Sequence, residues 1–310
     1  MTRRMVQRGV FLLLAAAVLT GAARVPSHTA EPSGSADTVY VYDGYAAKTD
    51  AAFDAASLDR AAYRFQHLYD LYFTGRTVYL AVVPDKALFT VPPAGYAPAG
   101  AAETVDCLRD ALDFLTPVDI AAGLTLADYY RTDPHWRQER LRPTADALLT
   151  AMGAPVSGTR DETLCALEGD FHGSYWGKTE EPLEPDTLAY LTSPVLDICT
   201  VHYYETDTDG GVYDFAAAQD APYDLFLSGS RSLLRIDSPQ ALSDRTLVVF
   251  RDSFGSSLIP LLAESYRTVY AVDIRYLSSD LLGRFVDFPA DADVLLLYST
   301  TVLHNSITLK

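Results

Sequence analysis

Five short runs constrain the fold more than anything else in this chain. Residues 77–83, 199–203, 246–250, 268–272 and 294–298 are rich in Val, Leu and Tyr, with little polar alternation. A strand with one wet face alternates polar and apolar side chains. An uninterrupted apolar run is a strand covered on both faces, as in a parallel sheet sandwiched by helices. Helical patterns at 54–69, 104–115, 137–152 and 256–264 lie between several of the runs. This alternation predicts a three-layer α/β architecture with a mainly parallel central sheet. Residues 38–45, TVYVYDGY, alternate β-formers and predict an edge strand. The stretch 158–230 is richer in Gly, Asp, Thr and Tyr and reads as an irregular insertion, to which the 199–203 run belongs if it is not in the main sheet. A single α/β domain over 38–310 is therefore expected.

The first residues belong to something else. Arg3, Arg4 and Arg8 precede an apolar run at 10–18, which small residues continue to Ala23. That is the basic and apolar pattern of an export signal. The run falls short of the ~20 apolar residues that span a bilayer comfortably. Residues 1–30 are thus expected to be a signal peptide, with an uncleaved membrane anchor as the alternative, and 31–37 a Pro-, Ser- and Gly-rich linker. Either way the folded domain is expected outside the cytoplasm. The whole chain's formal charge of −17 repels phosphate backbones and disfavours nucleic acid as a partner. Three cysteines, Cys107, Cys165 and Cys199, contain no CxxC pair, so zinc and redox motifs are unsupported. One disulfide with a free thiol, or three small buried hydrophobes, are both compatible with them. No HExxH or other metal-ligand cluster is present, and neither a metal nor a cofactor is expected.

The chemistry gathers at two places. In TLVVFRDSFGSSL, 246–258, a buried strand ends in Arg-Asp-Ser and a helix begins. Ser253 then sits where a strand's carboxyl end meets a helix N-terminus, the place where open α/β sheets build their sites. Free N–H groups and the positive end of the helix dipole favour an oxyanion there. The plainer alternative is that Asp252 or Ser253 only caps the helix. In YYRTDPHWRQERL, 129–141, Asp133 and His135 lie two residues apart ahead of a helix. That spacing lets the carboxylate reach Nδ1–H while Nε2 faces outward as a general base. Here too a helix cap and a solvent-facing His are the alternative. Together, Asp133, His135 and Ser253 predict a Ser-His-Asp acyl-transfer site.

Five landmarks in order, VVPDK (82–86), YYRTDPHW (129–136), FHGSYWGKT (171–179), RDSFGSSLIPLLAESY (251–266) and VYAVDIRYL (269–277), carry a resemblance. The chain resembles the DHHW family of SGNH-hydrolase-like proteins, relatives of the SGNH domains that O-acetylate alginate. The resemblance implies a flavodoxin-like SGNH fold with circularly permuted motif order, Asp-x-His preceding the serine. It implies Ser253 as nucleophile and one oxyanion donor, His135 as base and Asp133 as its orienter. Arg275 falls near where such enzymes supply a second oxyanion donor; a salt bridge to Asp273 is its alternative. The family name implies a His where this chain has Pro134. The usual oxyanion Asn has no counterpart close to the last strand, where Thr300 and Thr301 stand nearer than Asn305. Tyr129, Tyr130, Trp136, Tyr175 and Trp176 cluster around these landmarks, and their flat faces suit sugars, or core packing. Lys86 is a candidate substrate contact, or an ordinary lysine. The function implied is extracytoplasmic O-acetyl transfer to a polysaccharide, fed by a membrane-bound acetyl donor. A carbohydrate acetylesterase with the same triad, or a carbohydrate-binding protein without turnover, are the alternatives.

Overall fold

The computed structural model describes residues 37–310, so the expected leader and almost all of the expected linker lie outside the described residues. The chain opens with a hairpin, β1 (Val39–Tyr42) and β2 (Tyr45–Lys48), joined through Asp43 and Gly44. Both turn residues have positive φ, 47° and 75°, as a tight right-twisting hairpin requires. The expected edge strand at 38–45 is therefore corrected: the Asp-Gly pair folds the segment on itself in a two-stranded sheet of its own.

The central sheet has eight strands. In spatial order they are β4 (Leu115–Pro117), β3 (Val78–Val83), β12 (Asp293–Ser299), β10 (Thr246–Arg251), β11 (Thr268–Val272), β9 (Leu233–Asp237), β7 (Thr200–Tyr203) and β8 (Thr208–Gly210). The first five run parallel, and β9, β7 and β8 extend the sheet by antiparallel pairings. The 199–203 run thus joins the main sheet, antiparallel to its neighbour β9. The remaining pair, β5 (Thr163–Ala166) and β6 (Ala189–Thr192), forms a separate hairpin within the insertion.

Successive side chains of a strand point to opposite faces. Leu247 and Val249 of β10 join Leu295 and Leu297 of β12 in one core. That core is covered by α3 (Arg142–Ala151) and α5 (Phe254–Ala263) through Leu148, Leu258 and Leu262. Val248 and Phe250 pack with Leu296 and Tyr298 on the other face. There α1 (Ala55–Leu68) and α2 (Ala101–Ala111) supply Leu58, Phe65 and Leu108. This accounts for strands without polar alternation and for three layers. Asp54 starts α1 by accepting the Ser57 N–H at 2.9 Å. Single helical turns, α4 (Ala217–Asp220) and α6 (Thr300–Leu303), complete the helices. Among the described residues no helix is long and apolar enough to cross a membrane. Cys107, Cys165 and Cys199 are free thiols.

Candidate active site

The loops after β3, β10, β11 and β12 gather at the carboxyl end of the parallel strands. β10 delivers Arg251, Asp252 and Ser253 there, and α5 begins at the next residue. Asp252 is fully buried. Its Oδ1 accepts the Phe254 N–H at 3.0 Å, and its Oδ2 accepts the Ser299 N–H at 2.7 Å. One carboxylate therefore caps α5 and ties β10 to β12. Ser253 makes no capping bond with its side chain, which leaves its Oγ available. Gly255 is required by packing: a Cβ there would stand 2.7 Å from Arg251 Cβ. The buried Arg251 side chain runs beneath the helix start and donates from Nη1 to Ser256 Oγ at 2.9 Å and from Nη2 to the Gly229 carbonyl at 3.2 Å.

The second half of the site is a tight loop. Tyr129 pairs with Trp136 as a β-bridge, and the Tyr130 N–H donates to the His135 carbonyl at 3.1 Å. Asp133 and Pro134 form the tip. The fully buried Trp136 donates its indole N–H to Phe254 O and Ser257 Oγ, both at 3.0 Å. That stitch fastens the loop to the first turn of α5 and sets His135 over Ser253. His135 Nε2 lies 2.8 Å from Ser253 Oγ, and Nδ1 lies 2.5 Å from Asp133 Oδ1.

Asp133 is buried, at 5% exposure. Burial pushes its carboxyl up. The opposing charge of His135 and hydrogen bonds from His135 and from the Ser174 N–H, 2.9 Å from Oδ2, outweigh it and hold the group down at about 2. An ionised carboxylate only accepts, so the Nδ1 of His135 carries the ring proton and Nε2 is free to accept from the serine hydroxyl. The imidazole face is stacked on Tyr223, with centroids 4.0 Å apart and planes 14° apart, and meets Phe254 at 4.9 Å. Ser253 and His135 remain half-buried and open to a ligand. Their arrangement can move a proton from Oγ to Nε2 as the oxygen attacks an acyl carbon. The Phe254 N–H is taken by Asp252. The Ser253 N–H is outside this cap, which leaves it as the backbone donor for an oxyanion. Among the described residues no group of three His, Cys, Asp or Glu can hold a metal ion.

Four further candidates are placed differently from their expected roles. Trp136 offers no face to a ligand because it is buried and bonded to α5. Tyr175 is buried too; its backbone N–H donates to the Thr132 carbonyl at 2.8 Å and its ring lies under the Lys86 ammonium. Lys86 is 1% exposed, and its Nζ donates to the carbonyls of Tyr130 and Asp133 at 2.8 Å each. Burial lowers it to about 8 against the pull of Asp133, Asp85 and Asp186. It braces the Asp-His loop from behind instead of meeting a substrate. Arg275 forks onto Asp273, from Nε at 2.9 Å and from Nη2 at 2.6 Å, so its salt-bridge reading is the one realised. Thr300 and Thr301 are tied to Asp85, by its N–H at 3.1 Å and its carboxylate at 3.2 Å, and supply no oxyanion donor.

Three site residues went unassigned in the sequence. Ser174 and Gly173 sit in FHGSYWGKT, where only the aromatic residues are singled out; a Cβ on Gly173 would lie 2.3 Å from Asp133 Cβ. Tyr223 carries no local signal, since only the fold of the insertion brings it to His135.

Solved structures share this architecture. A DHHW family protein from Eubacterium siraeum superposes with a TM-score of 0.68 at 22% identity, over 88% of this chain and 96% of that one. The chain has the SGNH-like fold of that protein. PatB1 of Bacillus cereus, solved with a sulfonyl adduct, gives 0.66 at 17% identity over 86% of this chain and 96% of its own. The O-acetyltransferase domain of Pseudomonas putida AlgJ gives 0.52 at 15% identity, over 87% and 93%. No protein-family model and no curated protein matches the sequence. The resemblance carried by the five landmarks thus holds at the level of the fold, a mixed α/β structure with a large, mainly parallel central sheet.

Proposed function

We propose that the chain is an extracytoplasmic serine O-acetyltransferase acting on a polysaccharide through Asp133, His135 and Ser253. The observation that carries the reading is the unbroken hydrogen-bonded line from Asp133 through His135 to Ser253 Oγ, 2.5 and 2.8 Å, at the start of a helix. His135 Nε2 takes the hydroxyl proton while Oγ bonds to the acetyl carbon. The tetrahedral oxyanion accepts from the Ser253 N–H at the positive end of the α5 dipole. Collapse expels the donor oxygen, which leaves with the proton held on His135. A sugar hydroxyl then repeats the steps in reverse: it gives its proton to His135, attacks the acetyl-serine, and Oγ departs with that proton. Asp133 keeps its charge throughout and stabilises the imidazolium. The likeness to the AlgJ O-acetyltransferase domain supports this class of chemistry, and the expected export signal supports the location.

The same triad serves an acetylesterase if water replaces the sugar hydroxyl. The test is acetate partition. The protein is given p-nitrophenyl acetate with and without a soluble glycan acceptor, and acetylated glycan is measured against free acetate. Acetylated glycan formed by the parent and not by Ser253→Ala supports the transferase. Acetate alone, at a rate that no acceptor changes, supports the esterase and removes the transferase reading.

A further inference from the structure

We propose that Trp176, stacked on His172 beside the Asp133 loop, is a platform for a sugar ring of the acceptor, and that it selects rings without carboxylates. The inference rests on the acyl-transfer reading of the site. Trp176 is 38% exposed, in contrast to the wholly buried Trp136. Its ring lies 4.1 Å from that of His172, nearly parallel at 24°, so one face is stacked, and the indole also borders a cavity. An exposed indole held in one orientation is the group that stacks on the C–H face of a pyranose, since little rotamer freedom is lost on binding.

The segment carrying it is built rigidly against the catalytic loop. Gly173 N–H donates to Thr132 Oγ1 at 3.0 Å, Ser174 N–H to Asp133 Oδ2 at 2.9 Å, and Tyr175 N–H to the Thr132 carbonyl at 2.8 Å. Trp176 N–H closes the turn on the Gly173 carbonyl at 3.0 Å. The platform therefore starts two residues from the N–H that holds the catalytic carboxylate. A cavity of about 210 Å³ adjoins the indole and is lined also by Thr179 and Glu181, which offer hydroxyl and carboxylate acceptors to sugar hydroxyls.

Charge sets the class of sugar. Between 170 and 184 the exposed carboxylates Asp170, Glu180, Glu181 and Glu184 outnumber the exposed Lys178. A ring bearing its own carboxylate meets like charge there, while a neutral or amino-sugar ring does not.

The probe is the indole itself, because the chain has two tryptophans and one is buried. The full chain, without acyl donor, is titrated by fluorescence with hexasaccharides of β-1,4-linked glucose, N-acetylglucosamine and a uronic acid. Saturable change with a neutral hexasaccharide, at least tenfold weaker binding of the uronic hexamer, and a tenfold or greater loss in Trp176→Phe and Trp176→Ala, by calorimetry, are expected. Binding unaltered by Trp176→Ala, preference for the uronic hexamer, or no binding of any of the three overturns the platform. Release of p-nitrophenol by the parent is measured alongside. Release without sugar binding refutes the platform and leaves the acyl-transfer reading standing; sugar binding without release does the reverse.

Discussion

Replacing Asp133 by Asn keeps the shape of the side chain and exchanges one acceptor oxygen for a donor NH₂. The wild-type carboxylate is surrounded by donors: His135 Nδ1–H and His135 N–H on Oδ1, and Ser174 N–H on Oδ2. The Asn has two ways to sit, and both fail. With NH₂ toward His135, the ring must accept at Nδ1 and carry its proton on Nε2, which then faces Ser253 as a donor and cannot act as base. Loss of this tautomer in a serine protease costs about 10⁴ in rate. With NH₂ toward Ser174 the tautomer survives, but two N–H donors oppose each other in a buried place, at about 1–3 kcal/mol. The charge matters for stability as well. Asp133 is held near 2, below the ordinary carboxylate value, so its ionised form stabilises the fold above pH ~4. That contribution, about 2–3 kcal/mol, fades as pH falls from ~4 toward 2. Initial rates of p-nitrophenyl acetate hydrolysis and urea unfolding at pH 7 measure the two effects. A rate on the order of 10³–10⁴ below the parent, with the fold retained, is expected from the tautomer effect. Hydrolysis by Asp133→Asn within tenfold of the parent would refute the reasoning.

Asp85 has the opposite sign. Burial, helped by Asp50, pushes it up to about 6, so the fold loses stability as pH rises from ~4 to 6. Asp85→Asn can still accept the Ala87 N–H, and it should gain up to about 3 kcal/mol at pH 8 with the gain gone at pH 4, read from melting curves at the two values. Lys86→Met leaves the Tyr130 and Asp133 carbonyls without their buried donor; a drop of about 1–3 kcal/mol in urea unfolding and at least a tenfold loss of hydrolysis are expected, and unchanged values would contradict the bracing role. Gly173→Ala drives a methyl to within 2.3 Å of Asp133 Cβ and 2.5 Å of the Thr132 carbonyl, so the loop must move. Hydrolysis should fall by a factor of about 10² or more for a displacement near 1 Å, with parent-like hydrolysis as the contrary result.

The parts legible in the sequence are those decided over a few residues. Strands 247–250 and 294–298 are apolar throughout because both faces meet helices, and that shows without any partner in view. Asp133, His135 and Ser253 were also readable, since Asp-x-His and strand-Asp-Ser-helix are local patterns whose geometry follows from the backbone. The direction of β7 was not readable: the same apolar run serves a parallel or an antiparallel neighbour. β9 escaped because Arg235 and Asp237 interrupt it on a half-exposed face. The flanking roles failed for a different reason. Lys86, Trp136 and Tyr175 have polar or aromatic side chains of the kind that meet substrates, and only tertiary packing turns them inward to hold the loop. Asp273 likewise claims Arg275 at a distance of two residues, an outcome the sequence offered as an alternative. Tyr223 depends on how residues 158–230 fold back over His135, a long-range contact with no local trace.

The most direct test of the central claim is the intact mass of the protein after brief exposure to p-nitrophenyl acetate, with Ser253→Ala beside it. One acetyl adduct on the parent, mapped by peptide fragmentation to Ser253, and none on the variant are expected. An adduct of equal yield on the variant, or an active parent whose acetyl group maps to another residue, would contradict the assignment.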